Sequence, residues 1–307
     1  MSAGKGRSGV AARPGVVVVT TGRARGANRL RAVPGWLWRH PQVALGGLLL
    51  AAIAVVALLG PLLYPGDPWE MVGAPLVWPG EDPATPLGTD LMGRDIVTGL
   101  VSGARVSLLV GLVSTVLAAV LGVLIGAVGG YWGGGIDNAL MRLTEIFQTV
   151  PKFVLAVVLV AIFKPTIATE VIAIGVVSWP ATARLARTEF MRLRNREFVL
   201  AARAMGLGSG HVIWRHILPN ALGPVIVVAT LTIATAIQTE AALAFLGLSD
   251  PNVMSWGALI GAGREQVVDA WYICALPGAA IVLTVLAFNL LGEGLGDAFN
   301  PRLRRRR

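Results

Sequence analysis

Long uninterrupted apolar runs constrain this 307-residue sequence more than any other feature. The run from Val43 to Tyr64 is uncharged and about 22 residues long, and roughly 20 apolar residues in a helix cross the hydrocarbon core of a bilayer. We therefore predict an all-α, polytopic integral membrane protein with six transmembrane helices. Their predicted ranges are 43–64, 106–128, 140–163, 167–186, 221–245 and 271–291.

The composition agrees with a membrane protein. Hydrophobic residues make up 55% of the chain and charged residues only 14%, and the mean hydropathy is +0.70. Charged residues make up about a quarter of an ordinary soluble domain. The net charge of +9 and the pI near 10.9 would suit nucleic-acid binding, but the apolar content and the placement of the arginines argue against that partner.

The distribution of lysine and arginine predicts the orientation of the six spans. Nineteen of these residues fall in segments that six spans place on one side, and only four fall in the segments on the other side. Because segments rich in lysine and arginine stay in the cytoplasm, we expect both termini to be cytoplasmic. The predicted order is a basic arm (1–42), the first span (43–64), an external loop (65–105), a five-span core (106–296) containing a cytoplasmic loop (187–220), and a basic tail (297–307).

Two patterns predict how particular helices pack. Apolar residues near the end of the external loop, from Asp95 to Val101, follow helical spacing, so we expect an amphipathic helix lying along the outer membrane surface. In the second span Gly122, Gly126 and Gly130 repeat every four residues. Small residues at this spacing let two membrane helices approach closely, so we expect a neighbouring helix on this face.

Polar side chains within the third and fifth spans are candidates for function, because ionisable groups in a membrane are costly and usually face protein or water. Glu145 and Lys152 are seven residues apart, so we expect them on one face of the third span, beside an adjoining subunit. Thr232, Thr235 and Thr239 share a face of the fifth span. They either border a translocation path or bond their own backbone and pack helices.

The fifth span also carries Gln238 and Glu240 near its outer end. Glu240 is the strongest single candidate for a structural or gating contact, because a carboxylate at membrane depth needs a protein partner.

The segment from Glu189 to Pro219 is the most polar part of the second half of the chain. Its centre, Val199 to Gly206, is rich in the helix-forming residue alanine and is followed by glycine. We predict a short helix there, at which Ala201 and Ala202 let another protein approach closely. The alternative is a basic loop that only determines topology.

Several stretches of this sequence resemble a known family. Leu200-Ala201-Ala202, followed by Gly206 and Leu218-Pro219, resembles the EAA loop of permease subunits in bacterial ABC importers. Further matching stretches are PLGTDLMGRD (86–95), GARVSL (103–108), EAALAFLGL (240–248), SWGAL (255–259) and residues 276–302. Together they resemble the second, or C-type, permease of the dipeptide, oligopeptide and nickel importers. The matching external positions are Gly88, Thr89, Asp90, Gly93, Arg94, Asp95, Ser255, Trp256 and Gly257.

The resemblance implies a type I ABC importer permease fold (MetI-like) and a coupling helix at 197–208 that docks in a groove of a separate ATP-binding subunit. Leu200 stands where the family usually has glutamate, and His216 where it usually has isoleucine. These departures leave the individual docking contacts open. The implied docking residues are Glu197, Ala201, Ala202, Arg203, Gly206, Leu207, His216, Leu218 and Pro219.

The chain carries no nucleotide-binding motif of its own. The pattern G-x-x-x-x-G-K-[ST] is absent, and the glycine-rich segment 206–210 lacks both a preceding strand and the motif's second glycine. His211 and His216 are five residues apart and are expected off a common helix face, so we predict no metal site. We expect no catalytic residue and no cofactor on this chain, with ATP and Mg²⁺ on partner subunits.

We therefore predict one membrane-spanning half of an ATP-driven importer of dipeptides or oligopeptides in the bacterial cytoplasmic membrane. The expected partners are a related B-type permease, two ATP-binding subunits, an external substrate-binding lipoprotein, membrane lipid and the peptide itself. The nearest alternative is the same machinery importing nickel or another small solute. A secondary transporter working alone would need internally repeated halves, and a scaffold without transport would not need polar residues in the third and fifth spans.

Overall fold

The computed structural model describes residues 41–299. Residues 1–40 of the predicted arm and residues 300–307 of the predicted tail lie outside the described residues. Within the described range the regular structure is helical, apart from two isolated β-bridges, and the predicted all-α class is confirmed. The α-helices are α1 (Pro41–Leu63), α2 (Ile96–Trp132), α3 (Gly134–Thr149), α4 (Lys152–Phe163), α5 (Ile167–Arg194), α6 (Glu197–Ala204), α7 (Ser209–His211), α8 (Leu218–Phe245), α9 (Trp256–Gly263) and α10 (Tyr272–Phe299).

Four helical segments of the described chain are long and apolar enough to cross a membrane. They are α1, α2, the segment from α7 to α8, and α10, and the bent pair α3 and α4 makes a fifth if it counts as one span. Helix α5 has 28 residues but falls outside this set, because Glu170 and the arginines of its second half interrupt its apolar sequence. The six-span count and the cytoplasmic termini therefore stay predictions.

Helix α2 is longer than the predicted second span. It runs without a break over 37 residues from Ile96, and the Asp95 carboxylate accepts hydrogen bonds from Val97 N and Thr98 N at its N-terminus. The predicted amphipathic surface helix is therefore wrong, because those residues form the first turns of α2. Ile96 is buried against Tyr272 and Ile273, so this face contacts protein rather than lipid.

The predicted third span is broken at Pro151. Val150 is extended, with φ −90° and ψ 131°, as expected for a residue before proline, and α3 and α4 meet at 83°. Glu145 lies on α3 and Lys152 is the first residue of α4. The prediction that these two residues share one helix face is therefore wrong, since proline ends the helix between them.

Helices α2 and α5 form the most extensive helix pair of the described chain. The glycines of α2 face α5 so closely that a Cβ atom at Gly122 would lie 2.6 Å from Thr182 Cβ, and one at Gly130 would lie 2.5 Å from the Arg187 carbonyl oxygen. A Cβ at Gly126 would overlap the carbonyl of Ala183. The predicted close packing along this glycine stripe is confirmed.

Candidate functional site

Helix α6 occupies the centre of the polar segment and matches the predicted short helix. Glu197 lies in its first turn and Arg203 in its last turn. The helix dipole stabilises a negative charge at the first turn and a positive charge at the last turn. The chain leaves the helix through Gly206, which has φ +82° and no atom within 4 Å of an added Cβ. Glycine is therefore required here by the left-handed backbone and not by lack of space.

One face of α6 packs into the chain itself. Val199 and Ala202 join a cluster that we call the basal core, and Ala202 is only 1% exposed. The prediction that Ala202 contacts another protein is wrong, because this side chain faces inward. The basal core combines residues of α2, α5, α6, α8 and a π-helix over Val212–Ile217, namely Ala127, Tyr131, Phe190, Leu193, Val199, Ala202, Val212, Ile217 and Ala221.

Apolar residues on the rest of α6 and just after it are exposed. Leu200 is 50% exposed and Met205, just after the helix, is 74% exposed, and Ala201 and Phe198 are exposed beside them. We call these four residues the α6 outer face. Exposed apolar residues grouped on one surface are typical of protein contacts. Leu200, which departs from the family pattern, lies within this surface.

The remaining members of the predicted docking set are divided between the surface and the basal core. Glu197 is exposed, and the guanidinium of Arg203 lies 4.8 Å from the ring centroid of Tyr131, so Arg203 already has a cation–π partner within the chain. Leu207 and Leu218 are half-buried against the basal core, and Pro219 is exposed in the first turn of α8.

His211 and His216 come together through an unusual helix. Residues Val212–Ile217 form a π-helix, in which residues five apart align because the hydrogen bonds run from i to i+5. The two rings lie 5.6 Å apart. The prediction that these histidines do not share a helix face is therefore wrong, although no group of three or more metal-ligating side chains occurs within residues 41–299.

Two arginines of α5 connect this helix to α3 and to the end of α2. Arg187 forms a two-pronged ion pair with Asp137 of α3, with Nε to Oδ1 at 2.5 Å and the second nitrogen to Oδ2 at 2.6 Å. Arg194 donates to the carbonyls of Gly130 and Tyr131 at 3.1 Å each, at the C-terminus of α2. Sequence reasoning treated these arginines as topology signals and missed their partners.

A small cavity lies between α4, α5 and α8. Its volume is about 160 Å³, and it is lined by Lys152 together with Thr232, Thr235 and Thr239. The structure thus brings the predicted threonine stripe to a lysine from another element. Each threonine hydroxyl donates to a backbone carbonyl of its own helix, at 2.8–2.9 Å. These backbone hydrogen bonds fit the packing alternative, and the prediction that the stripe borders a translocation path stays a prediction. Gln238 is exposed and does not line this cavity.

A larger polar cleft of about 730 Å³ lies between α3 and α5. Glu145 lines it together with Arg142 and Gln148, and the Gln148 side-chain oxygen accepts a hydrogen bond from Arg184 at 2.6 Å. Glu145 and Lys152 therefore face different clefts.

Glu240 is 1% exposed and lies at the junction of three helices. Its Oε2 accepts a hydrogen bond from Ser107 Oγ of α2 at 3.1 Å, and the same oxygen of Ser107 accepts from Trp256 N of α9 at 3.2 Å. Glu240 Oε1 has no partner within the described chain. Nearby Glu170, 3% exposed, accepts from Asp250 N at 3.2 Å.

The predicted external family positions are mostly buried, and several of them form hydrogen bonds within the chain instead of facing a partner. Thr89 Oγ1 donates to the Ala74 carbonyl at 2.6 Å, and Tyr272 hydroxyl donates to the Val77 carbonyl at 2.9 Å. Ser255 Oγ begins α9 by accepting from Ala258 N. Of the nine positions only Arg94, which stacks on Trp69, is partly exposed. The buried members are Gly88, Thr89, Asp90, Gly93, Asp95, Ser255, Trp256 and Gly257.

Comparison with known proteins identifies the family. The profile described as "Binding-protein-dependent transport system inner membrane component" matches residues 118–305. The chain is 41% identical over 272 residues to the di/tripeptide transport system permease protein DppC of Pseudomonas aeruginosa, covering 86% of this chain and 90% of that one. It is 41% identical over 296 residues to the probable peptide ABC transporter permease protein y4tQ of Sinorhizobium fredii, covering 95% of this chain and 100% of that one.

A solved structure gives the corresponding comparison for the fold. The inward-facing MetNI methionine ABC transporter matches with a TM-score of 0.53 at 20% identity, covering 67% of this chain and 98% of the matched chain. This agrees with the MetI-like fold that the sequence motifs implied. The chain therefore belongs to the family of binding-protein-dependent transport system inner membrane components.

Proposed function

We propose that this chain is the membrane-spanning C-type subunit of an importer that moves dipeptides or oligopeptides across the bacterial cytoplasmic membrane. As a family member it is an inner membrane permease component of an ABC importer, in which ATP is hydrolysed by separate ATPase subunits. The names of its relatives concern peptide transport, which favours peptide cargo over nickel.

The observation that carries this proposal is the double role of α6. Its outer face, with Leu200 and Met205, is apolar and exposed, while Val199 and Ala202 are buried in the basal core. A subunit that pushes on the outer face therefore acts directly on the ends of α2, α5 and α8. We infer that ATPase closure moves these helices through α6, because packed cores shift between discrete arrangements instead of deforming smoothly.

The remaining partners follow from the family. A related B-type permease would complete the path, two ATP-binding subunits carrying ATP and Mg²⁺ would dock on the cytoplasmic side, and an external lipoprotein would deliver the peptide. The polar clefts lined by Glu145 and by Lys152 are our candidates for polar contacts with the second permease or the cargo.

The test is to express the chain with candidate partner subunits, purify the complex and reconstitute it in proteoliposomes. We expect an ATPase to co-purify with the chain. ATP inside the vesicles should drive uptake of a labelled dipeptide only when the binding protein is present. A complex that lacks an ATPase, or uptake that proceeds without ATP, would contradict the proposal and favour a transporter working alone.

A further inference from the structure

The cavity between α4, α5 and α8 combines polar side chains from three separate helices. The polar residues that line it are Lys152 of α4, Ser178 of α5, and Thr232, Thr235 and Thr239 of α8. Val177, which also lines the cavity, belongs to a buried apolar cluster of α2, α4, α5 and α8, so these polar side chains are the exception in their surroundings. Their convergence points to a ligand.

The cavity lies beside the middle of a helical segment that is long and apolar enough to cross a membrane. Thr232 is at the middle of α8, about 21 Å from the N-terminal end of the helix at a rise of about 1.5 Å per residue. Lys152 reaches this depth because the chain breaks at Pro151 and α4 begins there. A lysine at such a depth is costly unless it meets protein, water or a ligand.

The cavity has positive charge and no acid to balance it. No aspartate or glutamate lines it, and the ion pairs found within residues 41–299 do not include Lys152. Helix α4 also starts at Lys152 without a side-chain cap, so its first backbone N–H groups add to the positive potential. The cavity therefore suits an anionic group.

The threonines suit the part of a ligand next to that anion. Their hydroxyls donate to the carbonyls of Val228, Thr232 and Thr235, so their oxygens remain acceptors for N–H groups. A volume of about 160 Å³ equals roughly five water molecules at about 30 Å³ each. The cavity therefore has room for one end of a peptide.

We propose that Lys152 binds the C-terminal carboxylate of a peptide as it crosses the membrane, with the threonine oxygens accepting from its terminal N–H groups. This inference rests on the proposed function, because it assumes that peptides pass beside α8. Lys152 would then select for a free carboxylate in the permease itself, in addition to any selection by the external binding protein.

The test uses the complete complex in proteoliposomes, with binding protein outside and ATP supplied to the ATPase. The probes are alanyl-alanine and its C-terminal amide, each at a concentration that saturates the binding protein. We expect Lys152→Met to lower uptake of the free acid about tenfold or more, as expected for loss of a charge-assisted contact, and uptake of the amide about twofold or less. Lys152→Arg should retain most of the uptake of the free acid.

A relocated charge separates a binding role from a structural one. In the double variant Lys152→Thr, Thr235→Lys the cation moves from α4 to α8 within the same cavity, and we expect it to import the free acid better than Lys152→Met. ATP hydrolysis stimulated by loaded binding protein shows that each variant is folded. Equal loss for acid and amide, unchanged uptake in Lys152→Met, or a double variant no better than Lys152→Met would overturn the inference. If the unmodified complex imported no peptide at all, the proposed function would fail instead.

Discussion

Ser107 on α2 donates a buried hydrogen bond of 3.1 Å to Glu240 on α8, and the Ser107 oxygen in turn accepts from the backbone N–H of Trp256. This contact joins two long helices to α9. A displacement of α8 would therefore be transmitted to α9 and to the chain that precedes it, because the shared hydroxyl connects them.

Removing the Glu240 side chain should destabilise the protein more than removing its charge. Glu240→Ala leaves a cavity and the Ser107 hydroxyl unpaired, at a cost of about 2–4 kcal/mol. Glu240→Gln keeps the shape and an acceptor for Ser107, so we expect a change of about 1 kcal/mol or less. Thermal unfolding of the purified complex in detergent measures both, with Gln238→Ala on the exposed face as the control. Equal destabilisation by both Glu240 variants would contradict the role assigned to this contact.

Glutamate in place of Ala201 or of Ala202 should have different effects on folding and on ATPase binding. Ala202→Glu places a charge in the basal core, where Ala202 is 1% exposed, so we expect poor folding and low yield of the membrane protein. Ala201→Glu lies on the exposed outer face, and we expect normal yield but loss of the co-purifying ATPase. Yield and ATPase content of the purified complex are the two measurements. Normal folding of Ala202→Glu would show that the inward direction of this side chain is wrong.

Gly206 should resist substitution for a backbone reason alone. Its φ of +82° disfavours any side chain although the space around it is open, so Gly206→Ala should cost about 1 kcal/mol and Gly206→Val more. We expect ATP hydrolysis to persist while peptide uptake per ATP falls, because the exit from α6 is displaced. Gly208→Ala is the matched control, since Gly208 has φ −63° and equally open surroundings. The same loss of coupling in both variants would rule out this explanation.

The ion pair between Asp137 and Arg187 should matter more than the one between Glu189 and Arg192. The first is two-pronged, and its carboxylate side chain is 8% exposed, so Asp137→Asn should cost about 1–3 kcal/mol. The second has its arginine side chain 51% exposed, so Glu189→Gln should cost about 1 kcal/mol or less. Thermal unfolding of the two variants compares them directly. A larger loss for Glu189→Gln would contradict the importance given to the link between α3 and α5.

Local patterns in the sequence predicted much of the fold. The apolar runs located the long helices, the glycine spacing in α2 predicted a closely packed neighbour, which the structure shows to be α5, and the alanine-rich stretch predicted α6. Each of these signals depends on residues close together in the chain, where periodicity and helix propensity act directly. The family motifs added the fold and the expected docking helix.

Contacts between distant residues account for the errors. Pro151 is a local signal for a helix end, but the 83° angle between α3 and α4 depends on what each helix packs against. The two different clefts that Glu145 and Lys152 line were therefore not predictable. The inward direction of Ala202 depends on where α2 and α8 end. The pairing of His211 with His216 depends on a π-helix, for which helical periodicity gives no signal.

The most direct test of the central claim is cross-linking from the α6 outer face to the ATPase. In a chain whose one cysteine is removed by Cys274→Ala, Leu200→Cys labelled with a photoactivated cross-linker should form a covalent product with the ATPase subunit. Met71→Cys on the external segment, 68% exposed, is the control and should form none. Absence of an ATPase product from Leu200→Cys, or its appearance from Met71→Cys, would contradict the claim that α6 transmits ATPase motion to the membrane helices.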